Sequence, residues 1–518
     1  MQKKSTNNRK QIKYITKLLE DNASVKNFVS KFLEDISSES LSKIHPKIIM
    51  DACNKAYNML KNDFKEKYLI DISSTDKDAD YFVITIFSDD MAFLMDSVNN
   101  ELQSYDIDIK LLVHKVFISV DYKEFNLEKF KGKKIACVQF YISNWFDKKF
   151  YSDLKNKLSN ILECVQISVN SWKIMHDTLS TCTNNLSESI GKKSTGITLE
   201  DITFLNFLLN DHFIFLGYTK GTVNNDESIS INSKESLGLL RHKSYSPSIV
   251  SSENQTVEKG VITIKRSELK SSVHRRSFML CITIKNFDKA GICKDVHVFY
   301  GFLITKIYYM SVLNIPLIRK KVSYVINKYG YSKESYNSKE LIAAIEEFPR
   351  SELLQISKVE LFNIATGIVS LGINPRMKLF IRKDKNKKYI SCLIFIPKSK
   401  FNTQVRKRIE NILCQQFNGF IAKHYVKIGD SPLTRLQLVV NLWEQKDFQY
   451  NIDSIEKLIS NAVNLWEDNF KESLEKKFAK KEADRILKKY TEAFSVKYTN
   501  TFSPEESFHD VHAIEEAL

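Results

Sequence analysis

Seven polar residues stand where this chain could do chemistry. Asp89 and Asp90 close the apolar run DYFVITIFSDD and precede the helix-spaced MAFLMDSVNNELQSY. Two carboxylates at a helix N-terminus are stabilised by the helix dipole and by free backbone N–H groups, which is the favoured reading. The other is that they face a small-molecule amine at the strand–helix corner. Asp211 and His212 interrupt LLNDHFIFLGY between two apolar blocks, as a turn or as a buried network, with the turn favoured. His274, Arg275 and Arg276 open an apolar strand, where alternation points Arg275 away from its two neighbours. That cluster suits an anionic effector or an acidic interface. A solvated basic edge that discourages sheet-to-sheet aggregation suits it equally.

No cofactor motif accompanies these groups. Fourteen glycines in 518 residues are few, and neither G-x-G-x-x-G nor a P-loop occurs. A dinucleotide crevice needs glycine for its tight turn and for backbone approach to the pyrophosphate, so no Rossmann site is expected. Of the ten histidines only His509 and His512 stand close, and they read as solvent-facing rather than as metal ligands. The eight cysteines form no close pair, which excludes zinc-ribbon and thioredoxin-type motifs. Several, such as Cys137 in IACVQFYI and Cys392 in ISCLIFI, sit in apolar runs where a thiol acts as a small hydrophobe. A reduced, cytosolic compartment follows.

The net charge of +15 comes mainly from lysine, with only 13 arginines. Base and phosphate readout favours arginine forks, so a solvated surface is preferred over nucleic-acid binding. The N-terminus MQKKSTNNRK has no apolar signal region, and FLNFLLNDHFIFLGY is too short and too polar to span a bilayer. No membrane association is expected.

The elements that must position the seven residues are of α+β type. Residues 11–70 read as amphipathic helices. Residues 80–181 read β-α-β-β-α, the order of an antiparallel sheet with helices on one face. Thr198 and Asp201 form a capping box ahead of ITFLNFLL. The stretch from Asn224 to Gln255 is loop-rich, SFMLCITIKNF and KDVHVFYGFLITKIYY form a hairpin, and residues 376–445 repeat the α+β theme, with KDKNKK as a polar turn. These readings divide the chain into a helical segment (1–75), a first α+β domain (76–185), a second α/β domain with the hairpin (186–315), a helical connector (316–372), a third α+β domain (373–447) and a helical tail (448–518).

Several segments resemble the N-terminal region of the large bacterial NAD-dependent glutamate dehydrogenases. SDDMAFLMDSV (88–98) is similar to that family's acidic-pair-plus-helix segment, LLNDHFIFLGY (208–218) to its "DDHFxFLGY" and SVHRRSFMLCITIKNFDKAG (272–291) to its "TVHR" strand. IPLIRKKVSYVINKYGY (315–331), EEFPRSELLQIS (346–357), ISCLIFIPKSKFNTQVRKRIENIL (390–413), DSPLTRLQLVV (430–440) and FSPEESFHDVHAIE (502–515) continue in the same order. The resemblance implies several ACT-like antiparallel sandwiches joined by helical segments, without a Rossmann domain. It also implies that the part oxidising glutamate with NAD lies further along than this sequence reaches. NAD is then a cofactor of the full-length family only, and this chain is expected to be inactive alone. The partners implied are a second copy of the chain or a separate catalytic portion, with an amino acid as effector. Two alternatives stay open, a stand-alone amino-acid sensor and a non-functional remnant of a split gene.

Overall fold

The structure is a computed structural model that describes residues 2–19, 23–62, 67–74, 81–118, 134–143, 148–191, 195–245, 256–330, 332, 334–373, 375–384, 386–429, 431–444, 449–463, 466–490, 493–495, 498 and 502–517. Part of the Asn224 to Gln255 loop and one residue of the KDKNKK turn lie outside these. Among the described residues, three antiparallel sheets organise the chain. Sheet 1 holds β1 (Tyr68–Ser74), β2 (Phe82–Asp89), β3 (Ile109–Ile118) and β4 (Lys134–Ile142) in the order β1-β2-β4-β3. Sheet 2 holds β5 (Phe213–Val223), β6 (Ile229–Ile231), β7 (Leu237–Gly238), β8 (Ile262–Lys270), β9 (Phe278–Phe287) and β10 (Cys293–Leu303), ordered β6-β5-β10-β9-β8 with β7 on β5. Sheet 3 holds β11 (Lys378–Lys383), β12 (Tyr389–Pro397), β13 (Gly419–Lys427) and β14 (Leu433–Leu442), ordered β11-β12-β14-β13. Sheets 1 and 3 therefore share one strand order and one ββαββα element order. The α+β class with antiparallel sheets agrees with the sequence reading.

The chain forms two units, Met1–Lys320 with Pro349–Gln355, and Lys321–Phe348 with Ile356–Leu518. In the first, β2 and β4 are buried along nearly their whole length because sheet 1 is covered on both faces. Ile84, Ile86, Val138 and Phe140 pack on Leu94, Val98, Leu102, Leu154, Leu158 and Leu162. Side chains alternate across a strand, so Val83, Phe87, Val113, Cys137 and Tyr141 face the other way, into the helices Ala23–Leu33 and Pro46–Asn62. β1 departs from the expected helix over residues 11–70: YLIDISS pairs residue for residue with β2, Tyr68 opposite Ser88 and Ser74 opposite Phe82. The 40-residue helix Lys148–Ser187 serves two sheets, giving Leu158 and Leu162 to sheet 1 and Ile161, Cys164 and Val165 to sheet 2.

In the second unit Ile390, Cys392, Ile394, Leu436, Leu438 and Val440 bury against the helices Thr403–Phe417 and Ile452–Val463. Phe470, Leu474, Ile486, Tyr490, Phe508 and Val511 form a separate helical core. There Arg485, Lys489 and the Tyr490 hydroxyl all bond Glu515 and hold its carboxyl down at about 2, with Lys489 the largest contributor.

Gln139 lies fully buried between sheet 1 and its N-terminal helices. Its amide donates to Ala52 O at 3.0 Å and Thr85 Oγ1 at 3.3 Å, and its Oε1 accepts from Tyr141 at 2.9 Å. Cys53 is at the same spot, its thiol 3.9 Å from Gln139 Oε1. Burial pushes this thiol up to about 12 against the opposing pull of Tyr141. All eight cysteines are free, and only Cys293 and Cys414 are not buried. A thiol reagent at neutral pH should therefore label Cys293 and Cys414 first and the other six only on unfolding. Mass spectrometry of the labelled native chain checks this, and early modification of Cys53 would contradict the packing.

Candidate functional site at the end of sheet 2

Five of the seven sequence-chosen residues gather at one end of sheet 2. β5 starts there at Phe213, β10 ends there at Leu303, and the two pair antiparallel with Leu303 opposite Phe213. β9 also starts there, with Leu280 opposite Gly301. Asp211 and His212 precede β5 in a tight turn closing the helical run, with Asp211 exposed at φ 57°. His212 stacks on Phe207 at 4.0 Å and its Nδ1 is 2.8 Å from Phe207 O. Its carbonyl accepts from Ile304 N at 3.3 Å.

His274, Arg275 and Arg276 occupy a bend before β9 rather than the strand itself. Strand alternation therefore does not set their directions. His274 takes φ 64°, and the Arg275 and Ser277 amides each donate two residues back, to Val273 O and Arg275 O, both at 2.8 Å. The helix Leu94–Gln103 holds this bend. His274 N donates to Ser97 Oγ at 2.9 Å, Asn100 Nδ2 donates to His274 O at 2.7 Å, and His274 Nδ1 lies 2.9 Å from Asp96 Oδ2. Arg276 Nη1 pairs with Glu101 at 3.1 Å. Both neighbours of Arg275 thus turn to acidic groups on the helix. Arg275 turns to Thr305, donating from Nη2 to Oγ1 at 2.9 Å, with its Cζ 5.9 Å from the Phe302 ring and 5.7 Å from that of Tyr308.

Asp89 and Asp90 do not join as helix caps. The helix starts four residues later, at Leu94, after a left-handed Phe93 at φ 69° that offers no side-chain cap. Asp90 N instead donates to Lys134 O at 2.9 Å, extending the strand pairing. Asp96 is the acid of the first helical turn, and it is turned to His274. Sequence reasoning missed Asp96, Glu101 and Thr305. Asp96 and Glu101 carry only helical spacing and Thr305 lies in a run read as strand, while their partners lie 178, 175 and 30 residues away.

A second polar cluster crosses sheet 2. Tyr218 OH is 2.9 Å from His297 Nδ1, His297 Nε2 is 3.2 Å from Asp295 Oδ1, and Lys220 reaches Asp295 at 3.4 Å. Burial pushes the Tyr218 hydroxyl well up. The Asp295 carboxyl is raised by burial, but His297, Asn286 and Lys220 outweigh this and leave it lowered. These groups satisfy one another, so the cluster is a closed cross-strand network. Among the described residues no group of three His, Cys, Asp or Glu could hold a metal. No helix among them is long and apolar enough to cross a membrane.

Comparison with known proteins places the geometry in a family. Four family models match in order, each a part of glutamate dehydrogenase: the ACT1 domain over residues 28–141, helical motif 1 over 315–373, the ACT2 domain over 378–467 and helical motif 2 over 473–517. The chain is 24% identical over 452 residues to the NAD-specific glutamate dehydrogenase of Halomonas elongata, covering 84% of this chain and 28% of that protein. It is 22% identical over 511 residues to that of Pseudomonas aeruginosa, covering 93% and 31%. With that of Mycobacterium tuberculosis it shares 22% identity over 394 residues, covering 74% and 24%. This chain belongs to the large NAD-specific glutamate dehydrogenase family.

The chain spans less than a third of the length of these glutamate dehydrogenases. The ACT1 match takes in sheet 1 with part of its helical cover, and the ACT2 match takes in sheet 3. The four stretches leave sheet 2, with the His274 to Arg276 bend, outside them. A Rossmann-type NAD site does not fit the described residues. Every strand pairing is antiparallel, and no strand among them passes through a glycine turn into a helix N-terminus that could hold a pyrophosphate.

Proposed function

We propose that this chain is a regulatory and oligomerisation portion of an NAD-dependent glutamate dehydrogenase. The complete enzyme would convert glutamate, NAD and water to 2-oxoglutarate, NADH and ammonium. The observation carrying this reading is the run of four matches, two to ACT domains and two to helical motifs, on a chain whose fourteen glycines form no dinucleotide fingerprint. An amino acid is the effector in this proposal. Calorimetric titration with a panel of amino acids should give saturable heat for at least one of them, and silence across the panel removes the effector role.

Self-association belongs to the same proposal. Its support is β13, the terminal strand of sheet 3, which exposes Phe420, Tyr425 and Val426, with Phe420 4.7 Å from the exposed Trp443 ring. A terminal strand with apolar side chains is a template for pairing with another chain. Sedimentation velocity should show a species heavier than the monomer. The eight free cysteines support a reduced, cytosolic setting.

A further inference from the structure

We propose that Arg275 anchors a carboxylate at the end of sheet 2, an inference that deepens the regulatory and oligomerisation reading above and rests on it. Three cationic side chains stand in one bend, and their surroundings differ. Arg276 is paired with Glu101 and His274 lies against Asp96. Arg275 has only neutral company, a hydroxyl and two aromatic rings, and among the described residues no carboxylate lies within ion-pair distance of it. A half-buried cation without a counter-charge is costly, and an arriving anion relieves that cost.

The bend is built to hold this posture. Ser97, Asn100 and Asp96 bond His274 and Glu101 bonds Arg276, and none of these bonds takes up the Arg275 guanidinium. The Thr305 hydroxyl occupies one Nη, leaving guanidinium donors for a planar acceptor. A guanidinium fork matches a carboxylate in shape and in single charge. Thr305 and Tyr308 are exposed, so the site opens to solvent. The carboxylate has two possible sources, a free amino or keto acid and an acidic side chain of a second copy.

The test is titration calorimetry of the whole chain with L-glutamate, L-aspartate and 2-oxoglutarate, with glutamate dimethyl ester as the carboxylate-free control. At least one acid should bind and the ester should not. Arg275→Met should weaken that binding roughly tenfold or more, the scale of a lost charged hydrogen bond. Thr305→Glu places a carboxylate beside the guanidinium, so it should raise the melting temperature and abolish binding. This variant keeps the test decisive even if Arg275→Met folds poorly. If the source is a second copy, the titrations are silent, the wild-type chain self-associates in sedimentation velocity, and both variants shift towards monomer. Acid binding that survives both variants removes this site while the effector reading stands. Silent titrations with sedimentation unchanged in both variants remove the site and the effector together.

Discussion

Gly301→Ala is expected to destabilise the first unit by about 3 kcal/mol or more, the range of a steric clash that neighbouring side chains cannot relieve. A Cβ at this position would lie 1.9 Å from Ile214 O and 2.9 Å from the Phe213 ring. The nearest obstacle is backbone, and it belongs to the strand paired with β10. The β5–β10 register shifts between Tyr300 and Gly301, and the Ile214 carbonyl stands where a side chain on residue 301 would have to go. Glycine in a strand interior commonly marks such an approach. Phe302 and Thr305, which contact Arg275, follow within four residues, so the same change should also disturb the proposed ligand site. Gly372→Ala is the control. Its Cβ meets nothing within 4 Å on the helix Lys358–Ile373, so alanine should be neutral or stabilising, by up to about 1 kcal/mol. Thermal melts of both variants check the pair. Equal effects would contradict the packing at Gly301.

Phe28→Ala should cost about 3–5 kcal/mol, the usual range for truncating a buried phenylalanine. Phe28 is fully buried, stacked on Phe32 at 5.7 Å and Phe117 at 5.2 Å, with Tyr57 edge-on at 5.8 Å. Phe117 belongs to β3, so this aromatic group fastens the N-terminal helices to sheet 1. Losing it should loosen the helical cover over Val83, Phe87, Cys137 and Tyr141. The readout is specific: Cys53 and Cys137 should become reactive to a thiol reagent while Cys392, in the second unit, stays protected. Continued protection of Cys53 in this variant would show that the helices are held by something else.

The fold was legible where local pattern and tertiary environment agree. The Thr198 capping box is present, with Asp201 Oδ2 accepting from Thr198 N at 2.8 Å. β9 and β10 form the hairpin their turn residues announce, with Asp288 Oδ1 accepting from the Ala290 and Ile292 amides, both at 2.9 Å. β1 was hidden because YLIDISS follows directly on helical sequence and gains its identity only from pairing with β2. The turn at Asp211 and His212 is legible, but FIFLGY after it is a short apolar run that periodicity alone does not assign to a strand. β8, with Lys265, Arg266 and Glu268 among nine residues, carries too little alternation to announce a strand. At the site, the residues of the bend could be named from sequence, but not their directions. A left-handed His274 and an acidic helix from far along the chain decide those, and neither is encoded locally.

The most direct test of the regulatory reading is a glutamate-dependent NADH assay on the purified 518-residue chain. No NADH formation above the protein-free rate is expected across glutamate and NAD concentrations. Steady NADH production that requires both glutamate and this chain, and persists after repurification, would contradict the account.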